Sequence, residues 1–525
     1  LVLINIAMKR TIYIITLLSF VSGFFACDKG FDRENTDPIN IIGSSPDKLL
    51  APALVNVLTG NMVRNRNFNN ELMQVTVTQS EDDFTVFRYN FRPNTADYTW
   101  NIWYPELTNF RDIYQIASSP EYQNNSYKGI SLVCEAWVFS LLTDTYGDVP
   151  FKEANQGKTG LVEPAFDSQK EIYTALLAKL EEANALLTEN VAIDAVSDPV
   201  YKGDITLWRK FCNSLHLRLL LRLSGKQEVA NTVIAKIKEM VDTNPSKYPV
   251  FASNAESAVL KWNGTTTTTD PYTNPYVINL RENDFTIPSM CNFFILKLND
   301  WNDPRIDIGA PYGANTRNRL GIAAGNGGFV GIDSGYEPGT KELKQAYFYS
   351  FGNSDFSLQK SPLTGIVMTY AELQFILAEA AAKGWISGSA QTFYYTGIAN
   401  AINYWVPNFS TNISGTVFTS YIANAGIAWD NSLPLDAAAG DSKMERIHIQ
   451  KYYSLFLTDF QQWFEHRRTG HPILPKGEGL KNGGKMPARM NYPVYVQSAN
   501  PTNYSKAVAN MGGDDMNTLV WWQKP

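Results

Sequence analysis

The stretch "SYKGISLVCEAWVFSLLTDTYGDVPF" (residues 126–151) decides the fold class. Ile130, Val133, Trp137 and Leu141 recur at three- and four-residue steps, which gathers them on one face of an α-helix. Gly147 ends the pattern, and Pro150 just beyond prevents its continuation. Outward from it the same rhythm returns. "DSQKEIYTALLAKLEEANALL" (167–187) places Ile172, Leu176, Leu180, Ala183 and Leu187 on one face behind a Ser168-Gln169-Lys170-Glu171 capping box. "DITLWRKFCNSLHLRLLLRL" (204–223) does so through Trp208, Phe211, Leu215 and Leu219, and "EVANTVIAKIKEMV" (228–241) follows closely. Helices of this length joined by short polar turns predict a mainly α protein of tetratricopeptide-like helical hairpins stacked into an α-α superhelix.

The rhythm stops between about residues 245 and 365. There "KWNGTTTTTDPYTNPY" (261–276) and "AAGNGGFVGIDSGYEPG" (323–339) are crowded with Gly, Asn, Thr and Pro. This predicts a long loop-rich insertion forming a binding face, since loops on a rigid scaffold are where ligands usually bind. Helices resume with "MTYAELQFILAEAAAKGW" (368–385) and "GSAQTFYYTGIANAINYW" (388–405), a further hairpin. The last, "MERIHIQKYYSLFLTDFQQWFEHRRTGHP" (444–472), reads as one helix with Ile449, Tyr452, Phe456, Phe460 and Trp463 inward. Arg467 and Arg468 complement its negative end, Gly470 supplies a left-handed cap and Pro472 stops it.

The N-terminal end sets the compartment. Lys9 and Arg10 precede an apolar run, Thr11 to Ala26, and "FVSGFFACDKGFD" (20–32) then turns polar at Cys27. The run is short of the roughly 20 residues of a membrane span and has the form of a secretory signal. A cysteine directly after the small Ala26 resembles a bacterial lipobox, so residues 1–26 are expected to be a signal peptide, with 1–7 a mis-set start before Met8. Cys27 is then the acylated first residue of the mature chain. Residues 27–46, with Asp28, Asp32, Arg33, Glu34, Asp37 and Pro38, lack period and suit a lipidated tether. Residues 47–525 are then expected to form the ligand-binding domain.

Composition excludes other classes. A net charge of −6 offers no basic excess for nucleic acid. Cys134, Cys212 and Cys291 lie far apart with no C-x-x-C pair, and read as small buried residues. No H-E-x-x-H and no G-x-S-x-G occurs. Gly157-Lys158-Thr159 has lysine at 152, where a phosphate loop needs glycine, and the run Gly325 to Gly331 lacks the spacing of a dinucleotide cradle. His448 and His466, 18 residues apart on one straight helix, would stand roughly 27 Å apart, too far to share a metal. No cofactor and no metal are expected. The acidic pairs Asp82-Asp83 and Asp514-Asp515 leave open a surface glycoside hydrolase, with solvated charge as the plainer reading. Aromatics make 13% of the chain, so many must line the surface or clefts.

"CEAWVFSLLTDTYGDVPF" (134–151), "TYAELQFILAEAAAKGW" (369–385) and "KYYSLFLTDFQQWFEHRRTGHP" (451–472), together with the lipobox, resemble the SusD/RagB family of nutrient-binding outer-membrane lipoproteins. "NDFTIPSMCNFFILKLNDWNDPRI" (283–306) resembles the family's middle segment. The resemblance implies a protein anchored by lipid in the outer membrane and facing the cell exterior. It implies a binder, not an enzyme, that takes a glycan or oligosaccharide first and a peptide second, and delivers it to a SusC-like TonB-dependent transporter. A tetratricopeptide scaffold that binds only proteins is the remaining alternative.

Sugar rings present flat C–H faces that stack on aromatic rings, so loop-borne aromatics beside hydrogen-bonding side chains are the candidate ligand contacts. "DDFTVFRYNFRPN" (82–94) offers Tyr89 with Asp83, Arg88 and Asn94, in a region that resembles one wall of the family's site. The insertion offers Trp262, Trp301 and Tyr312. Trp137, Trp208 and Trp463 lie on apolar helix faces and are expected in the core.

Overall fold

Local capping chemistry sets where the helices begin. The computed structural model describes residues 44–306, 319–340 and 343–525. Cys27, most of the tether and Tyr312 lie outside the described residues. In the first half run α1 (Pro46–Arg64), α2 (Thr95–Ala117), α3 (Asn125–Tyr146), α4 (Gln169–Leu186), α5 (Ile205–Leu223) and α6 (Ala230–Lys238). Asn124, Ser168 and Asp204 each accept a hydrogen bond from a first-turn amide, and Ser168 with Glu171 closes the expected capping box. Gly147 ends α3 at φ 88°, a conformation that an L side chain rarely adopts.

Each of these helices packs on the next, α1 on α2 through α5 on α6, which is the stacking of a tetratricopeptide-like array. α3 is more deeply placed than its periodicity predicts. It is buried on all sides from Gly129 to Tyr146, because α2 and α4 both cover it. Trp137, Trp208 and Trp463 are core residues, as their helix faces predict. Sealing such a ring from water contributes about 4–6 kcal/mol by area. Cys134, Cys212 and Cys291 are buried and unbridged, and burial pushes their thiols up, which makes them inert packing groups.

The second half comprises α7 (Asn292–Asp300), α8 (Tyr370–Ala382), α9 (Ala390–Trp405), α10 (Thr416–Ala425), α11 (Lys443–Ser454), α12 (Gln461–Thr469) and α13 (Pro501–Met511). α8 packs on α9, α11 lies against both, and α8 meets α5 and so joins the halves. Arg218 of α5 grips Glu372 of α8 with two hydrogen bonds of 2.6 Å, both side chains buried.

One expectation is corrected here. Residues 444–472 do not form one helix: the chain breaks after Ser454 and restarts at Gln461, with Leu457 at φ 66° and Asp459 at φ 29°. The Asp459 carboxylate stabilises the break by accepting from the Phe460 amide and the Gln461 side chain. The turn folds α12 back, so that Glu465 accepts from Lys451 of α11 at 2.7 Å. Distances along a straight helix therefore do not apply.

The insertion is loop-rich but tied into the body. β5 (Ser289–Met290) pairs with β1 (Thr76–Val77) ahead of α2, and β7 (Tyr347–Phe348) and β6 (Ile322–Ala323) complete a small sheet of order β1-β5-β7-β6. β4 (Ala258–Leu260) pairs with β8 (Gly365–Met368) at the insertion's two ends. Gly365 permits that approach, since a Cβ there would stand 2.3 Å from the Leu260 carbonyl oxygen.

Candidate functional site

The chain between β1 and α2, residues 78–94, crosses the surface as a loop whose shape is fixed by one arginine. Arg88 is fully buried: Nε donates to the Tyr336 carbonyl at 3.1 Å, and Nη1 donates to the Asp82 carbonyl at 2.8 Å. Its guanidinium lies 4.6 Å from the Phe87 ring centre and 4.8 Å from that of Tyr336. The insertion thus holds the loop from below. Tyr89 follows at φ 60° with its ring turned inward and 2% exposed, and burial pushes its hydroxyl up to about 12.

With the middle of the loop pinned, its start is turned out. Asp82 accepts from the Phe84 amide at 2.8 Å and pairs with Arg92 at 2.8 Å, and these two donors hold its carboxyl below its ordinary value. The Phe84 ring stands 53% exposed above this turn. Tyr98 lies on the solvent side of the first turns of α2, opposite Ala96, Thr99, Trp100 and Trp103, and is 50% exposed. Tyr495, 42% exposed, donates to Asn101 Oδ1 at 2.6 Å and brings a third ring to the same face.

Two cavities open here. One of 250 Å³ is lined by Asn67, Phe84, Phe91, Arg92, Asn94 and others. The other, of 450 Å³, is lined by Asn56, Asn101, Ile102, Glu106 and Asn279 among others, a size within the range of small-molecule sites. Arg64 and Tyr98 belong to the walls of both. Half-exposed rings next to amide side chains provide flat apolar contact together with hydrogen bonds. That arrangement suits a ligand with flat apolar faces and hydroxyl groups.

A larger cavity of 660 Å³, lined by residues of α2, α3 and α4 and of the loop after β2 (Val149–Pro150), is a weaker candidate. Its ionic groups satisfy one another: Arg111 and Lys179 both reach Glu135 at 2.9 Å. Glu379, His448 and Glu465 place potential metal-ligand atoms within 4.8 Å of one another. Arg468 and Lys451 donate into those same carboxylates, so the protein's own cations take the place of a metal.

The residues singled out from the sequence fall into distinct places. Asp83 is exposed and pairs with Lys481 at 3.1 Å, and Asn94 lines the smaller cavity. Arg88 is a loop pin. The expectation that Tyr89, Trp262 and Trp301 present rings to solvent is corrected. Trp262 is 2% exposed beside the β4–β8 pair, and Trp301 is 8% exposed with its ring edge-on to Tyr453 at 5.2 Å. Each packs its own loop onto the body. Phe84 and Tyr98 were missed, although both left signals. Phe84 follows two aspartates, and Tyr98 falls off the apolar stripe of α2.

Comparison with known proteins finds no match among curated sequences. Solved structures similar to this chain include a SusD homolog from Bacteroides fragilis, at 23% identity and TM-score 0.71, covering 92% of this chain and 100% of that one. A SusD homolog from Bacteroides uniformis is similar at 24% identity and TM-score 0.70, covering 91% and 99%. A chitin-binding SusD homolog from Flavobacterium johnsoniae is similar at 22% identity and TM-score 0.69, covering 91% and 98%. At these identities the likeness shows the fold. The SusD-like family model, described as starch-binding and associating with the outer membrane, matches residues 38–493, and with the helical array above this establishes that the chain belongs to the SusD-like family.

Proposed function

We propose that this chain is a non-catalytic cell-surface lipoprotein that binds an oligosaccharide on the face carrying Phe84, Tyr98 and Tyr495 and delivers it to a SusC-like TonB-dependent transporter. The observation that carries this reading is the cluster of three exposed aromatic rings beside two adjoining cavities walled by amide side chains. The chitin-binding Flavobacterium johnsoniae relative makes a glycan the first class to test. Calorimetry with an oligosaccharide panel, chitin fragments and starch fragments included, tests the reading. Tyr98→Ala and Phe84→Ala should each weaken binding about fivefold or more, with the unfolding midpoint unchanged. Unchanged affinity in both variants, or turnover of the saccharide by the purified protein, would overturn it.

The anchor and the partner belong to the same proposal. The described residues contain no helix long and apolar enough to cross a membrane, and an acylated Cys27 would supply attachment without one. Cys27→Ala should therefore move the protein from the membrane fraction to the soluble fraction. Mild detergent extraction of the wild type should co-purify a large barrel. Retention of the variant on membranes would contradict the lipid anchor.

A further inference from the structure

We propose that Arg64 is an anion receptor in the ligand site and that the ligand is an acidic glycan, carrying a carboxylate or sulfate on the sugar that lies against Tyr98. This inference rests on the binding reading above and specifies its substrate class. Arg64 closes the last turn of α1, and its guanidinium lies 4.0 Å from the centre of the Tyr98 ring. It stands in the wall that the two cavities share. A ligand running from one cavity into the other must pass it.

Among the described residues Arg64 differs from the charged groups around it in having neither an ion pair nor a hydrogen-bond partner for its side chain. Arg92 is paired with Asp82 at 2.8 Å. Arg66 donates to the Asp284 carbonyl, with Glu71 and Asp284 near it. Glu106, at the wall of the larger cavity, accepts from Asn56 at 3.0 Å and from Asn109 at 2.8 Å. Among the described residues no carboxylate pairs with Arg64 and no acceptor takes a hydrogen bond from its side chain; the groups that bear on its charge are Tyr98 and Arg66. Burial strips water from the guanidinium and lowers its proton affinity; Tyr98 opposes this in part, and the neighbouring Arg66 adds to it.

A cation that has lost solvent and gained only the face of a ring is stabilised by any anion that reaches it. The planar fork of arginine matches the two oxygens of a carboxylate or of a sulfate, and stacking on Tyr98 holds the fork in place before the ligand arrives. The remaining lining of both cavities is largely neutral: Asn67, Asn94, Asn101, Asn56 and Asn279 offer donors and acceptors to hydroxyl groups. Arg92 and Glu106 also reach these walls, but Arg92 is paired with Asp82 and Glu106 accepts from two amides, so an amide-lined groove with Arg64 as its one unpartnered charge suits a sugar chain with an acidic residue in register with Tyr98.

The test is calorimetry with the mature protein and oligosaccharides in matched pairs. Oligogalacturonate and oligomannuronate are each compared with their methyl esters, and a chondroitin sulfate hexasaccharide with its desulfated form. The acidic member of at least one pair should bind about tenfold or more tightly than its neutral partner at low ionic strength. That ratio should shrink with added salt. In Arg64→Gln the ratio should fall to about one, and Arg64→Lys should keep part of it, which separates charge from packing. Preference within the uronate pairs identifies a carboxylate, and preference within the sulfate pair identifies a sulfate.

Neutral saccharides that bind as well as acidic ones, with Tyr98→Ala still weakening both, would overturn the anion receptor and leave the binding reading standing. A ratio that survives in Arg64→Gln would also overturn it. Binding of peptides with no saccharide bound would overturn both.

Discussion

Replacing Arg468 with methionine is expected to lower the unfolding free energy by about 3–5 kcal/mol. Arg468 spans two buried carboxylates: Nη1 and Nη2 donate to Glu379 at 2.8 and 2.6 Å, and Nη2 also donates to Glu465 at 2.8 Å. Burial alone would raise both carboxyls. Arg468, with Lys383 on Glu379 and with Lys451 and Arg222 on Glu465, instead holds them well below the usual carboxylate range. Methionine keeps much of the side-chain stem and removes the charge, so the loss reports the electrostatics more than a cavity. Urea unfolding at pH 7 measures it. A loss under about 1 kcal/mol would mean that Lys383 and Lys451 suffice alone. Because the folded pKa values are depressed, this stabilisation is present above the ordinary carboxylate pKa and lost as pH falls below it. The wild type should therefore lose stability steeply in acid, and the variant less so.

That network also explains why the helical scaffold was legible in the sequence. The stretches that carry the family resemblance contain its members: Asp144, joined through Arg222, in residues 134–151, Glu379 in 369–385, and Lys451, Glu465 and Arg468 in 451–472. Their apolar neighbours keep helical spacing because the helices pack on both sides of them. Ser168 and Gly147 mark ends through local chemistry that acts within a few residues. The break at Leu457 to Asp459 was not legible, because it contains neither glycine nor proline and is held by the Asp459 carboxylate.

The candidate site was legible as a stretch and not as residues. Residues 82–94 do form part of the face, yet which of their rings turn outward depends on Arg88 meeting Tyr336, a partner 248 positions away. The same holds for Trp301, which is buried because Tyr453 of α11 receives its ring. Loop sequences carry no period that records such partners, whereas Tyr98, on a helix, could have been placed by counting from Trp100 and Trp103. Exposure in a loop is thus a tertiary property, and exposure on a helix is largely a local one.

The same loop has a titratable group at its base. Glu71 is buried, accepts from the Thr78 hydroxyl and the Phe87 amide, and faces Arg66. Burial dominates these favourable contacts and pushes its carboxyl from an ordinary 4.5 up to about 7. Between those values the folded protein keeps a proton that the unfolded chain has released, so stability contributed by this group falls as pH rises through the window and is flat above it. The full effect is about 3 kcal/mol, since each pKa unit is about 1.4 kcal/mol. Glu71→Gln, which imitates the protonated form, should remove the slope and exceed the wild type in stability by up to that amount at pH 8, with little difference at pH 4.5. Buried His216 and His466, pulled down to about 4 by burial, tilt the curve the opposite way in part of the same window. The readout is therefore the difference between variant and wild type in urea unfolding across pH 4.5–8, in which those histidines cancel. Parallel curves for the two proteins would show that Glu71 is ionised throughout, held by Arg66 more strongly than burial opposes it. A gap that opens with rising pH would place its cost beneath the segment that presents Phe84, where Thr78 and Phe87 are its donors.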